Sequence, residues 1–167
     1  MLIPDFAFQF LRKLVGAEIE FIVVGGVAAV LLGAPLVTAD LDIVHKRSPE
    51  NIQRVLLLLR ELDAHMRFDL ANRRLFPSEG HLMGSGHINL TTKLGPLDLL
   101  CELAPGEGYE EILDDTEMVQ SGDLFLRVLS LPRLAAVKAA AGRPKDRMAV
   151  PVIIAAHEKR VREGIKK

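Results

Sequence analysis

Little in this chain of 167 residues points toward a membrane, an oxidising compartment or a polyanion. Its single cysteine, Cys101, excludes an intrachain disulfide and fits a reducing compartment. That cysteine lies in the apolar run LDLLCEL, where a buried structural thiol is expected rather than a nucleophile. The formal net charge is −1, which argues against a surface dedicated to nucleic acid or lipid and leaves room only for a local basic groove. No apolar run approaches the length that spans a bilayer. The opening MLIPDFAFQFLRKLVG lacks the basic lead and unbroken apolar core of a signal peptide. A soluble cytoplasmic protein with no membrane partner is therefore expected. The histidines (His45, His65, His81, His87, His157) never fall at metal-ligand spacing, so they are assigned no role and expected on the surface or in loops. Repeats and low-complexity linkers are absent as well, so residues 1–167 are read as one domain, with a core over about 18–129 and C-terminal helices over about 130–163.

What is present is organised around Phe21 to Val44, FIVVGGVAAVLLGAPLVTADLDIV. An apolar strand runs into two glycines and a short apolar helix. A turn at Gly33-Ala34-Pro35 follows, then a second strand carrying Asp40 and Asp42. Residues two apart on a strand share a face, so Asp40 and Asp42 point together while Leu41 and Ile43 can face the core. Neighbouring carboxylates repel unless a proton or a cation relieves them. A hard divalent ion such as Mg2+ is the natural relief. At Gly25-Gly26 the strand gives way to a helix, where free backbone N–H groups can meet a phosphate. Either feature alone is most often turn chemistry or a solvated strand end; their order and spacing point jointly to a nucleoside triphosphate.

The rest of the chain reads as follows. An amphipathic helix covers Pro4 to Gly16, a first strand Glu18 to Val24, a buried helix Val27 to Leu32 and a second strand Ala39 to His45. Ser48 caps a helix that begins at Pro49 and runs to about Leu62. Asp63 to Gly86 gives only scattered strand-like pieces. A hairpin pairs His87–Thr92 with Pro96–Glu102 around Lys93-Leu94-Gly95, and a Gly- and acid-rich connection (Pro105 to Asp115) follows. A last strand, Asp123–Leu129, leads into helices Leu131–Ala141 and Pro144–Glu163, whose basic end (Lys159 to Lys167) suits the macrodipole.

Asp98 is the one charge between Leu97 and Leu99 in the second hairpin strand. A buried carboxylate there needs a partner, whereas on an edge strand it would simply face water. On the helix Leu131–Ala141, Lys138 stands among Ala and Val. Gly142 ends that helix, and Arg143, Lys145 and Asp146 surround Pro144 at the start of the next. Ordinary helix–loop–helix punctuation accounts for these charges unless a ligand gathers them.

Gly-Gly, thirteen residues (Val27 to Ala39), then Asp40-Leu-Asp42 resembles the signature of the DNA polymerase β-like nucleotidyltransferase superfamily. The Lys138…Gly142-Arg143-Pro-Lys145-Asp146 run is similar to a pattern of its stand-alone bacterial branch, which includes abortive-infection toxin relatives. The resemblance covers Phe21 to Asp146 in the family's order. It implies an α+β fold: a mixed, mainly antiparallel sheet flanked by helices, with a C-terminal helical pair. It also implies that Asp98 is a third carboxylate beside Asp40 and Asp42, and that the three hold Mg2+ (or Mn2+ in its place). Asp40, Asp42, Asp98 and Lys138 would then be catalytic. Gly25, Gly26, Thr38, Lys138, Arg143, Lys145 and Asp146 would bind the nucleotide. In this picture Lys138 and Lys145 neutralise the phosphates as pyrophosphate leaves, and Asp146 holds one of the lysines. One position departs from the family. In the pattern Gly-x-x-Arg-x-Thr-x-Asp, Gly33, Thr38 and Asp40 are in register, but Leu36 stands at the arginine, whose task falls to another residue or goes undone.

The expected activity is Mg2+-dependent transfer of a nucleoside monophosphate from an NTP to a hydroxyl acceptor (tRNA, protein or small molecule), with pyrophosphate released. A toxin–antitoxin role follows from the same resemblance, and because the modest size leaves no room for a large substrate domain, a partner protein or a homodimer is expected to help bind the acceptor. The rival expectation, suggested by Leu36, is a catalytically weak module that binds nucleotide or a partner protein.

Overall fold

The protein is described from a computed structural model, which covers residues 3–69 and 71–164. Its centre is one seven-stranded sheet in the order β3-β4-β5-β2-β1-β7-β6. The strands are β1 (Phe21–Val24), β2 (Leu41–His45), β3 (His65–Met66), β4 (His87–Thr91), β5 (Pro96–Leu100), β6 (Thr116–Ser121) and β7 (Leu124–Leu129). β1–β7 and β2–β5 pair in parallel and the other four pairs are antiparallel. The helices are α1 (Asp5–Gly16), α2 (Gly25–Leu31), α3 (Pro49–Glu61), α4 (Glu79–Met83), α5 (Tyr109–Ile112), α6 (Leu131–Ala141) and α7 (Pro144–Arg162). This is the α+β layout expected: a mixed, mainly antiparallel sheet flanked by helices.

Local chemistry sets most element boundaries. Ser48 accepts the Asn51 N–H at 3.3 Å and Pro49 opens α3, as the Ser-Pro-Glu run requires. Buried Asn51 then donates to the Glu20 and Lys46 carbonyls and accepts the Glu20 N–H, stitching the outer ends of β1 and β2 to α3. Gly142 adopts φ 68° and closes α6 by donating to the Lys138 carbonyl. α6 packs on α7 and also meets α2, and the charge of Lys138 on α6 is felt at Asp42.

Three expectations are corrected. The first strand begins at Phe21 rather than Glu18, because Glu18 (φ 58°) and Ile19 complete the end of α1, with the Ile19 N–H on the Leu14 carbonyl. Thr116–Ser121 forms β6, a stretch to which the sequence reading assigns no element; none of its residues is fully buried, so its apolar alternation is faint. His45 is not a surface histidine: it lies fully buried in β2, its Nε2 2.8 Å from the Leu82 carbonyl. Of the other four, His81 and His87 are exposed as expected and His65 and His157 are half-buried, all of them within helices or strands. Cys101 is buried as expected, with its Sγ 3.3 Å from the His81 carbonyl. Among the described residues no helix is long and apolar enough to cross a membrane. Ile165 to Lys167, the end of the basic tail, lie outside the described residues.

Candidate active site

The strand registers build the site as a row across the sheet. Val24 stands opposite Asp42, Asp42 opposite Asp98, and Asp98 opposite Asn89. The row continues at Arg67, just beyond β3, whose N–H donates to the Asn89 carbonyl at 2.9 Å. Side chains in register on neighbouring strands share a face, so Asp42, Asp98 and Asn89 stand side by side. Leu41, Ile43, Leu97 and Leu99 are fully or almost fully buried and anchor the opposite sense of the pleat.

The two glycines are needed by close approach. Gly25 has φ 69°, and a Cβ there would lie 2.4 Å from Asp42 Oδ2. A Cβ on Gly26 would lie 2.7 Å from Thr38 Oγ1, and that hydroxyl donates to the Asp40 carbonyl at 3.3 Å. Gly25, Gly26, Thr38, Asp40 and Asp42 therefore form one contiguous wall. Asp40 precedes β2 and is half-buried; its charge is felt at Asp42.

Asp42 is the perturbed group. Burial, then a hydrogen bond with Asp98 and the negative charges of Asp98 and Asp40, push its carboxyl up to about 7, against the opposing charge of Lys138. Near neutral pH the Asp42 carboxyl is therefore close to its midpoint, where taking up a proton relieves the repulsion of its neighbours. Asp98 Oδ1 accepts a hydrogen bond from the Asn89 amide at 2.8 Å and forms an ion pair with the Arg67 guanidinium at 2.9 Å. Sequence reasoning missed both. Asn89 was within reach, since counting back from the hairpin turn places it directly across from Asp98; Arg67 was not, because the Asp63–Gly86 segment carries no clear periodicity.

On the α6–α7 side, buried Asp146 collects Lys138 (Nζ to Oδ1, 3.4 Å) and Arg143 (Nε to Oδ2, 2.7 Å). Hydrogen bonding from Arg143, and the charges of Lys138 and Arg143, hold the Asp146 carboxyl below its usual range against its burial. The lysine that Asp146 holds is Lys138. Lys145, one position earlier on α7, is exposed and makes no ion pair. The structure joins Lys138 to Arg143 through Asp146. Leu36 packs against the core as an apolar side chain.

No three Asp, Glu, His or Cys side chains among the described residues form a ready-made metal cage. Asp42 and Asp98 are nonetheless an oxygen-only pair whose mutual repulsion a proton can relieve, with Asp40 close enough to add to it. That donor chemistry suits a hard divalent cation. A groove of about 210 Å3 between α1 and the β6–β7 hairpin, lined by Val15, Phe21, Met118 and Phe125, holds one carboxylate, Glu20, which is paired with Lys46. The chemistry is not there.

No family model matches the sequence, and no curated protein matches it. The fold, however, is shared with solved nucleotidyltransferases. The lincosamide antibiotic adenylyltransferase LnuA, solved with lincomycin bound, superposes with a TM-score of 0.63 at 12% identity, over 93% of this chain and 98% of its own. A putative nucleotidyltransferase from Thermotoga maritima gives 0.59 at 17% identity, over 90% and 93%. An antigenic nucleotidyltransferase-like protein from Paracoccidioides brasiliensis gives 0.63 at 16%, over 92% of this chain and 76% of that one. At such identities the likeness is one of fold: this chain has the nucleotidyltransferase fold.

Proposed function

We propose that the protein is a nucleotidyltransferase that moves a nucleoside monophosphate from an NTP to a hydroxyl acceptor. The observation that carries this reading is the contact between Gly25 and Asp42 at the head of the Asp42–Asp98 pair, with Lys138 on the same side. A backbone turn with no side chain, a cation-seeking carboxylate pair and an ammonium group are what a metal-bound triphosphate would meet.

The chain's own residues divide the work. The Gly25-Gly26 turn lets the phosphates approach the backbone, and Thr38, which lies close against Gly26, donates to the Asp40 carbonyl. Asp40 and Asp42 would hold Mg2+, or Mn2+ in its place, with Asp98 beside them. When bound, the ion neutralises the charge that develops on the transferred phosphorus and the departing pyrophosphate. Asp98 accepts the proton of the acceptor hydroxyl, or orients it, from a carboxylate whose Oδ1 is already pinned. Lys138, steadied by Asp146, faces the phosphates, and Arg143 supplies a second positive charge on that side. Lys145, exposed at the start of α7, would meet the outer phosphate. Lincomycin in the LnuA structure supports a small-molecule acceptor; a toxin–antitoxin role rests on the resemblance of the Lys138–Asp146 segment to toxin relatives.

The experiment is transfer of label from NTPs carrying a radioactive α-phosphate, with Mg2+, to candidate acceptors, with pyrophosphate release measured in parallel. Transfer that disappears in Asp42→Asn is the expected result. Leu36, partly buried against the core at the position where many members of the resembled superfamily carry arginine, favours a second reading, a nucleotide-binding or partner-binding module without turnover. Saturable NTP binding with no pyrophosphate release would select it.

A further inference from the structure

Arg67 lies outside every motif considered so far, yet it reaches the centre of the site. β3 contributes only two paired residues, and the residue after them, Arg67, is fixed by its N–H on the Asn89 carbonyl at 2.9 Å. One nitrogen of its guanidinium meets Asp98 Oδ1 at 2.9 Å and the Leu90 carbonyl at 2.8 Å. The guanidinium also lies 5.7 Å from the Phe68 ring centre. The side chain is 23% exposed and that of Asp98 13%, so this is a largely desolvated ion pair, and Asn89 donates a hydrogen bond to the same oxygen.

A hydrogen bond from Asn89 and the charge of Arg67, both on Oδ1, hold the carboxylate on that side, while it is hydrogen-bonded to Asp42 as well. We propose that Arg67 is a positioning residue: together with Asn89 it holds Asp98 Oδ1 and so turns Oδ2 toward Asp42, where the two carboxylates share a divalent cation. This rests on the cation reading of the previous section. Outer partners of carboxylate ligands act in this way, and losing one typically costs about 10–100-fold in metal affinity. The competing possibility has the opposite sign. A guanidinium that merely occupied the cation's place would, when removed, let the cation bind more tightly.

The test is Mn2+ binding to the full chain, followed by calorimetry and by the loss of free-ion paramagnetic resonance signal, well below the melting temperature. Arg67→Met is expected to bind Mn2+ about 10–100-fold more weakly than the unchanged protein, with Arg67→Lys, which keeps the charge and one donor, in between. Asn89→Ala, which leaves the ion pair in place, should weaken binding in the same direction, and it serves if Arg67→Met fails to fold. In an Asp98→Asn background, Arg67→Met should have no further effect. A purely structural arginine would show no such coupling. Unchanged or tighter Mn2+ binding in Arg67→Met, or an equal loss in the Asp98→Asn background, overturns the inference alone. An unchanged protein that binds no Mn2+, or binding indifferent to Asp42→Asn, overturns the cation reading and this inference with it.

Discussion

Replacing Asp42 by Asn should stabilise the empty protein, and the gain should depend on pH in a defined way. Raising a carboxyl from its usual 3.8 to about 7 corresponds to roughly 4 kcal/mol of unfavourable energy at a pH above both values. Between about pH 4 and 7 the folded chain binds more protons at this group than the unfolded chain does. Stability from this group therefore falls as pH rises through that window, is flat above it, and carries no penalty below it. Asn keeps the shape and removes the charge, but the pair's energy is shared with Asp98 and Lys138. About half the full value, ~2 kcal/mol, is expected as the gain at pH 8, or about 4–8 °C in Tm for a chain of this size. The assay is thermal unfolding of both proteins, free of divalent ions, from pH 4 to 8.5. His45 and Asp146 titrate in both and cancel in the difference, so the gap should open from nothing near pH 4 to its full value above 7. At pH 8, Mg2+ should raise the Tm of the unchanged protein and not that of Asp42→Asn. A variant that melts lower, or a gap that does not vary with pH, would refute the electrostatic account of the pair.

Gly25→Ala should cost about 1–3 kcal/mol, because it combines a positive φ with a Cβ 2.4 Å from Asp42 Oδ2, and it should weaken Mn2+ binding; Gly16→Ala, where a Cβ meets nothing within 4 Å, should leave both unchanged. Asp146→Asn strips Lys138 and Arg143 of their shared partner; denaturant unfolding should show a loss of about 1–3 kcal/mol, and nucleotide affinity should fall with it. Burial lowers the pKa of His45, so its contribution is complete above about pH 6.5 and is lost as pH falls below it; His45→Gln, which can still donate to the Leu82 carbonyl, should flatten that acid limb of the Tm profile.

The strand–glycine–helix–strand unit was legible because its signals are local: an apolar run, two glycines, and carboxylates at the period of a strand. Asp98 was legible as one charge in an apolar strand after a clear hairpin turn. The helix pair around Gly142 was equally plain, since a glycine C-cap and a proline at the first helical position mark both ends. What was not legible depends on tertiary partners. β6 pairs along its full length with β7, yet none of its side chains is fully buried, so hydrophobic alternation cannot announce it. Arg67 reaches Asp98 only because β3 docks on β4, a pairing of two residues with no periodicity to read. The partner of Lys138 was open in the same way: helix geometry sets Asp146, and not Lys145, facing α6, and that follows from how α7 lies on α6.

The central claim is that the wall from Gly25 to Asp42, with Lys138 opposite, receives a metal-bound nucleoside triphosphate. Its most direct measurement is binding of ATP, CTP, GTP and UTP, each with Mg2+, by calorimetry and by shift in Tm. At least one should bind saturably and stabilise the unchanged protein by about 2.7 kcal/mol at a hundred times its Kd, with most of that gain absent in Lys138→Ala. If all four leave the Tm unchanged and give no heat of binding, the site does not take a nucleotide and the account is wrong.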